Sequence, residues 1–248
     1  MGMHLRSDAF EILRGHEAPF LFTCEHASNR VPEPLTTAGA DRRWLESHWG
    51  WDIGIPPMAR SMLDRLGGSA VLARFSRLVC DPNRRPDAET LIRTHIYDEP
   101  LSFNQGLDDG ERRRRLDQLH HRYHGAVDAE AARLAPTDPL LLSLHSFTPS
   151  LDGDIRPMEI GVLFHEWEPQ ARDLRDRLAS AGFSVALNEP YSGVGGLIYA
   201  IRRHGLQHRR VFLELEVRQD LLTDDARARQ VGARIAEAMA GWSWRATP

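Results

Sequence analysis

Three apolar runs in this chain each lead into a histidine or a glutamate. Phe20-Leu21-Phe22-Thr23 leads into Cys24-Glu25-His26-Ala27-Ser28-Asn29. Leu140 to Leu144 leads into His145-Ser146, and Val211 to Val217 carries Glu214 and Glu216. A short apolar run bounded by polar residues suits a strand buried on both faces. An ionisable residue where such a run turns polar then points to a cleft. Open α/β sheets bind ligands there, outside the carboxyl ends of their strands.

The remaining pattern alternates strands with helices. Strands are predicted at Phe10–Leu13, Ala70–Phe75, Leu78–Cys80, Gly161–Phe164 and Val185–Leu187. Helices are predicted at Asp41–His48, from Pro56-Pro57 to Leu66, and over Glu111–Leu134, Pro169–Ala181 and Asp224–Met239. The Arg112–Arg115 run reads as a solvated face of its helix. Residues 87–110 form a long excursion with little periodicity, of the kind that either covers a site or is merely mobile. Tyr191 to Gly196 is a glycine-rich loop without a Walker lysine or dinucleotide spacing. No internal repeat or linker divides the chain. The expected fold is α/β, one three-layer domain over residues 1–248 around a mixed, mainly parallel sheet.

Composition narrows the function classes. All 31 basic residues are arginine against 35 acidic ones, a formal charge of −4, so overall charge gives no argument for nucleic acid. No apolar run is long enough to span a bilayer, and no basic region followed by an apolar stretch marks a signal peptide. A soluble cytoplasmic protein is expected. Cys24 and Cys80 lack CxxC partners and read as buried thiols.

His26 and His145 are candidate metal ligands, since neutral imidazoles suit zinc. The third ligand should be a carboxylate. Asp52, between Trp51 and Gly54, is preferred, with Glu25 and His48 as competitors. Glu214 and Glu216 share one face of a strand. Glu216, nearer the strand's exit, is the candidate base. Asn83 and Arg84 offer an amide and a guanidinium fork for a substrate carboxylate.

These residues fall within motifs that resemble the N-formylglutamate amidohydrolase family over nearly the whole chain. They are Cys24-Glu25-His26-Ala27-Ser28-Asn29-Arg30-Val31-Pro32, Asp52-Ile53-Gly54, Ser76 to Arg84, and Leu144-His145-Ser146-Phe147-Thr148-Pro149. Asn188-Glu189-Pro190-Tyr191-Ser192 and Glu216-Val217-Arg218-Gln219-Asp220-Leu221 complete the set. The resemblance implies a metal-dependent amidase, usually with zinc, on a fold related to zinc carboxypeptidases and aspartoacylases. Those relatives use a His-x-x-Glu pair. The corresponding span here is His26-Ala27-Ser28-Asn29, which lacks the glutamate and brings Asp52 forward. The resemblance further implies that Asn83-Arg84 grips a substrate carboxylate and that the Glu216 segment carries the catalytic glutamate.

The expected reaction is hydrolysis of an N-acyl amino acid, with N-formyl-L-glutamate leading. Arg156 or Arg218 would serve the oxyanion or a second carboxylate, and Tyr191 would line the pocket. Amidase or carboxypeptidase action on another acyl amino acid or short peptide is the rival enzyme. A noncatalytic acidic-metabolite binder is the rival outside enzymes.

Overall fold

The computed structural model describes residues 9–245, so expectations about the first eight residues lie outside it. One seven-stranded sheet forms the centre. Its strands are β1 (Phe10–Arg14), β2 (Phe20–Cys24), β3 (Ser69–Ala73), β4 (Leu140–Phe147), β5 (Ile160–Leu163), β6 (Val185–Leu187) and β7 (Phe212–Arg218). They lie in the order β1-β3-β2-β4-β7-β5-β6. The central strands β3, β2, β4 and β7 are parallel. β1 is antiparallel to β3, and β5, with β6 parallel to it, runs against β7. β2 and β4 are buried at every residue. That is the burial pattern of parallel strands covered on both faces.

Side-chain alternation divides the core into two halves. Phe20, Phe22, Leu142, Leu144, Leu213 and Leu215 face one set of helices: α2 (Ile55–Leu66), α5 (Glu168–Ser180) and α7 (Asp225–Met239). Leu21, Leu141 and Phe212 face the other set, α4 (His121–Leu134) and α6 (Tyr199–His208). The chain is therefore a single α/β domain with a mixed, mostly parallel sheet between two helical layers. Among the described residues no helix is long and apolar enough to cross a membrane.

Several elements depart from the sequence pattern. The first helix is short, α1 (Arg42–Glu46). Leu78-Val79-Cys80 forms no strand. Ser76 Oγ accepts from Leu78 N at 3.2 Å and Ser76 O from Val79 N at 2.9 Å, so the run turns and plugs its apolar side chains into the core. The helix expected over Glu111–Leu134 is α3 (Asp109–Arg115), a π-helical turn over Leu116–His120, then α4. α6 has no counterpart in the expected helices, because Arg202, Arg203 and His204 blur its apolar stripe.

The solvated-face reading of Arg112–Arg115 fails at Arg115, which is 1% exposed. Its guanidinium donates to Val79 O at 3.1 Å, Phe103 O at 2.7 Å, Glu111 Oε1 at 2.8 Å and Asn104 Oδ1. It thereby ties residues 79, 103 and 104 to α3. Removing it leaves buried acceptors without a donor. Arg115→Ala should cost about 3 kcal/mol of stability, read as a lowered urea midpoint; an unchanged midpoint would contradict this role.

Candidate active site

β2 ends at Cys24, and His26 follows two residues later. His145 lies within β4, and Asp52 precedes α2. Asp52 N donates to His26 O at 2.9 Å, and Ser146 Oγ donates to Ile53 O at 3.0 Å, so the three segments are fastened together. Gly54 turns the chain into α2 with φ +81°; a Cβ there would meet Leu222 Cβ at 2.4 Å. That close approach and positive φ require glycine.

His26 Nε2 lies 2.7 Å from Asp81 Oδ1, so that nitrogen carries the hydrogen. His26 Nδ1 faces Asp52 Oδ2 at 3.5 Å and is a buried nitrogen without a hydrogen-bond partner. His145 Nδ1 lies 2.7 Å from the same Asp52 oxygen, and its Nε2 is 3.2 Å from Glu25 Oε2. Both imidazoles thus turn Nδ1 toward Asp52 and Nε2 toward a carboxylate. Carboxylate-backed histidines are the usual outer arrangement of a metal site. Ligand atoms of His26, Asp52 and His145 all lie within 4.8 Å of one another, so the three could hold a divalent ion. Two imidazoles and a carboxylate suit zinc. Fully buried Glu25 serves from behind, accepting from Ser143 Oγ at 2.7 Å and Tyr123 Oη at 3.2 Å. His48 lines the cavity but is outside the three-ligand group.

β7 lies beside β4 with Glu216 opposite His145 and Glu214 opposite Ser143. Both glutamates line the cavity and are nearly buried, and each has an Oε2 with no hydrogen-bond partner. Burial pushes Glu216 well above the usual carboxylate range; His145 pulls against that, and Glu214 and Asp52 add to it. Burial likewise raises Glu214, to about 7, with His145 opposing. Burial works against the charge of Glu25 too, but hydrogen bonds from His145 and Ser143 help hold it down at about 2. Asp81 is also held low: burial opposes its charge, and Arg77 and His26 prevail. Five buried carboxyl groups, Glu25, Asp52, Asp81, Glu214 and Glu216, therefore gather around two imidazoles. Such a cluster favours positive charge in its midst, and the orphaned His26 Nδ1 is placed to bind it.

The cavity beside these groups measures about 210 Å³. Pockets that take drug-sized ligands measure roughly 300–1,000 Å³, so this one suits a small metabolite. Arg77, Arg84 and Arg93 line it together. Arg77 Nη2 is committed to Asp81 at 3.1 Å. Arg84 Nε stands 3.8 Å from Asp81 Oδ2, and Arg93 lies over the Trp49 ring at 5.6 Å. Burial lowers the Arg93 pKa, and the charges of Arg77 and Arg84 lower it further. An anion entering here relieves that repulsion.

His26, Asp52, His145, Glu216, Asn83, Arg84 and Tyr191 all reach this cavity. Asn83 does so with its amide engaged, accepting from Ala200 N at 2.9 Å and donating to Leu197 O at 3.3 Å. It holds the loop more than it offers a free donor. Arg156 is not a wall residue: it donates to Tyr191 Oη at 3.2 Å and stacks on the Phe147 and Tyr191 rings. Arg218 turns away. It donates to the carbonyls of Arg156, Pro157 and Met158 and to Asp220 at 2.8 Å. These bonds correct the expectation that it serves a substrate. Sequence reasoning missed Asp81, Arg77 and Arg93. Asp81 and Arg77 lie inside a quoted motif, whereas Arg93 falls in the excursion and carried no signal.

The family model for N-formylglutamate amidohydrolase matches residues 18–223. An N-formylglutamate deformylase of Pseudomonas putida is 29% identical over 171 residues, covering 61% of this chain and 62% of that protein, less than two thirds of its length. A crystal structure of an Agrobacterium tumefaciens gene product superposes with TM-score 0.86 at 28% identity, covering 94% of each chain. An N-formylglutamate amidohydrolase from Ralstonia eutropha shares the fold, with TM-score 0.71 at 22% identity over 92% of this chain and 97% of that one. The matched span contains the His26–Asp52–His145 group and both glutamates, and the chain belongs to the N-formylglutamate amidohydrolase family.

Proposed function

We propose that this chain hydrolyses N-formyl-L-glutamate to L-glutamate and formate, on a fold of the zinc-carboxypeptidase kind that its sequence motifs suggest. The observation that carries the reading is the pairing of a His–Asp–His group with three guanidinium groups in one small cavity. A divalent ion, zinc by its ligands, would lend Lewis acidity to the formyl carbonyl and acidify water. Arg84 receives one carboxylate of the substrate, steadied by the loop that Asn83 anchors. Arg93 receives the other. Glu216, ionised once positive charge enters the carboxyl cluster, takes the proton from the attacking water as its oxygen bonds the formyl carbon. It returns a proton to the nitrogen as the carbon–nitrogen bond breaks. Tyr191, held by Arg156, walls the cavity.

The substrate assignment is tested by comparing N-formylglutamate with N-formylglutamine, which lacks the second carboxylate. Charge-assisted hydrogen bonds contribute about 1.5–3 kcal/mol, so loss of one should lower kcat/KM by roughly 10–100-fold. Arg93→Ala should remove most of that discrimination, and Arg84→Ala should raise KM for both compounds. Preference for N-acetyl or N-succinyl substrates, or for short peptides, would overturn the formyl assignment. Saturable binding of all these compounds without turnover, at verified metal content, would favour a binding protein.

A further inference from the structure

The Pro82 carbonyl, one residue beyond Asp81, accepts from His124 Nε2 at 3.0 Å. A carbonyl only accepts, so that nitrogen carries the hydrogen. His124 is 2% exposed, and with its ring hydrogen on Nε2 its Nδ1 presents a lone pair. This lone pair meets His204 Nε2 at 2.8 Å, which must then carry the hydrogen of its own ring. His204 Nδ1 is left as an acceptor, and it faces another acceptor, Asp128 Oδ1, at 2.7 Å. Arg203 Nη1 lies 3.2 Å from Nδ1 and 3.3 Å from Nε2, so it adds positive charge beside the ring without choosing between its nitrogens.

Two acceptors at that distance need positive charge between or beside them. A shared proton would satisfy the pair, but a third donor is also present. His208, one turn along α6, directs Nε2 at the same Asp128 oxygen from 3.0 Å. Residues four apart on a helix share a face. Ligand atoms of Asp128, His204 and His208 fall within 4.8 Å of one another, as at the first cluster, and with the same donor types. Asp128 and His208 side chains are 22% and 17% exposed, which opens the cluster to solvent, while His204 is buried. The anchored His124 does for His204 what Asp81 does for His26: it fixes the ring with Nδ1 turned to the cluster.

We propose that Asp128, His204 and His208 form a second divalent-cation site, for an ion of the zinc class, distinct from the His26–Asp52–His145 group. Imidazole and carboxylate donors select that class over hard ions such as magnesium. Arg203 Nη2, 3.2 Å from Asp128 Oδ2, is the local competitor and swings away when the ion binds.

The test is zinc titration of untagged chain by calorimetry, with metal analysis after dialysis and circular dichroism to confirm folding. Wild type should take two ions and His208→Ala one. His26→Ala/His145→Ala should retain one ion, so this result does not depend on the first site or on the proposed reaction. His124→Ala should weaken the second ion by about 10–100-fold, the usual effect of losing an outer partner. Arg203→Gln should tighten it. Loss of all zinc from His26→Ala/His145→Ala, or an ion retained there that is indifferent to both His208→Ala and Asp128→Asn, would overturn the site and leave a proton shared by His204 and Asp128.

Discussion

Replacing His26 or His145 by alanine should empty the His–Asp–His group and reduce hydrolysis to background. Each imidazole offers one of the three candidate ligand atoms; His26 is oriented by Asp81 on its Nε2, and His145 turns its Nε2 toward Glu25 at 3.2 Å. Zinc at this site should fall below stoichiometric content in both variants. Asp81→Asn keeps all three ligands but weakens the hold on His26 Nε2, so metal affinity should fall about 10–100-fold. Full zinc content at this site in both histidine variants would reject the ligand assignment. Retained content in Asp52→Asn with loss in Glu25→Gln would move the carboxylate ligand to Glu25.

Glu216→Gln should lower kcat by about 10²–10⁴-fold, the range for losing a positioned acid–base group, with zinc content unchanged. The glutamine keeps the shape and burial of the side chain but cannot take a proton. Because Glu216 sits opposite His145 in the sheet register, the substitution acts beside the ligand and not on it. KM should move little, since the carboxylates of the substrate are assigned to Arg84 and Arg93. A kcat within tenfold of wild type, with Glu214→Gln inactive, would transfer the role to Glu214, whose Oε2 is also without a partner.

The parts of the fold that were legible in sequence are those where local pattern and burial agree. β2 and β4 are buried on both faces, and the turn from apolar to polar in sequence announced His26 just past β2 and His145 inside β4, which runs on to Phe147. The spacing of Glu214 and Glu216 correctly put both on one face of β7. Failures came where tertiary contacts overrule local pattern. Arg115 lies in a run of four arginines, and nothing in that run distinguishes the buried one; only the carbonyls of Val79 and Phe103 do. Arg218 follows the alternation of the two glutamates, yet it ends at the carbonyls of residues 156–158, which no periodicity encodes. Asp81 read as part of a polar turn because its partner, His26, is 55 residues away in sequence. Arg93 reaches the cavity from the aperiodic excursion, where neither strand nor helix spacing gives its direction.

The most direct test of the reaction is zinc-reconstituted wild-type chain mixed with N-formyl-L-glutamate, with formate and glutamate measured together. The account predicts equimolar release of both, lost on chelation and restored by zinc. Release of neither product at verified zinc occupancy would contradict it.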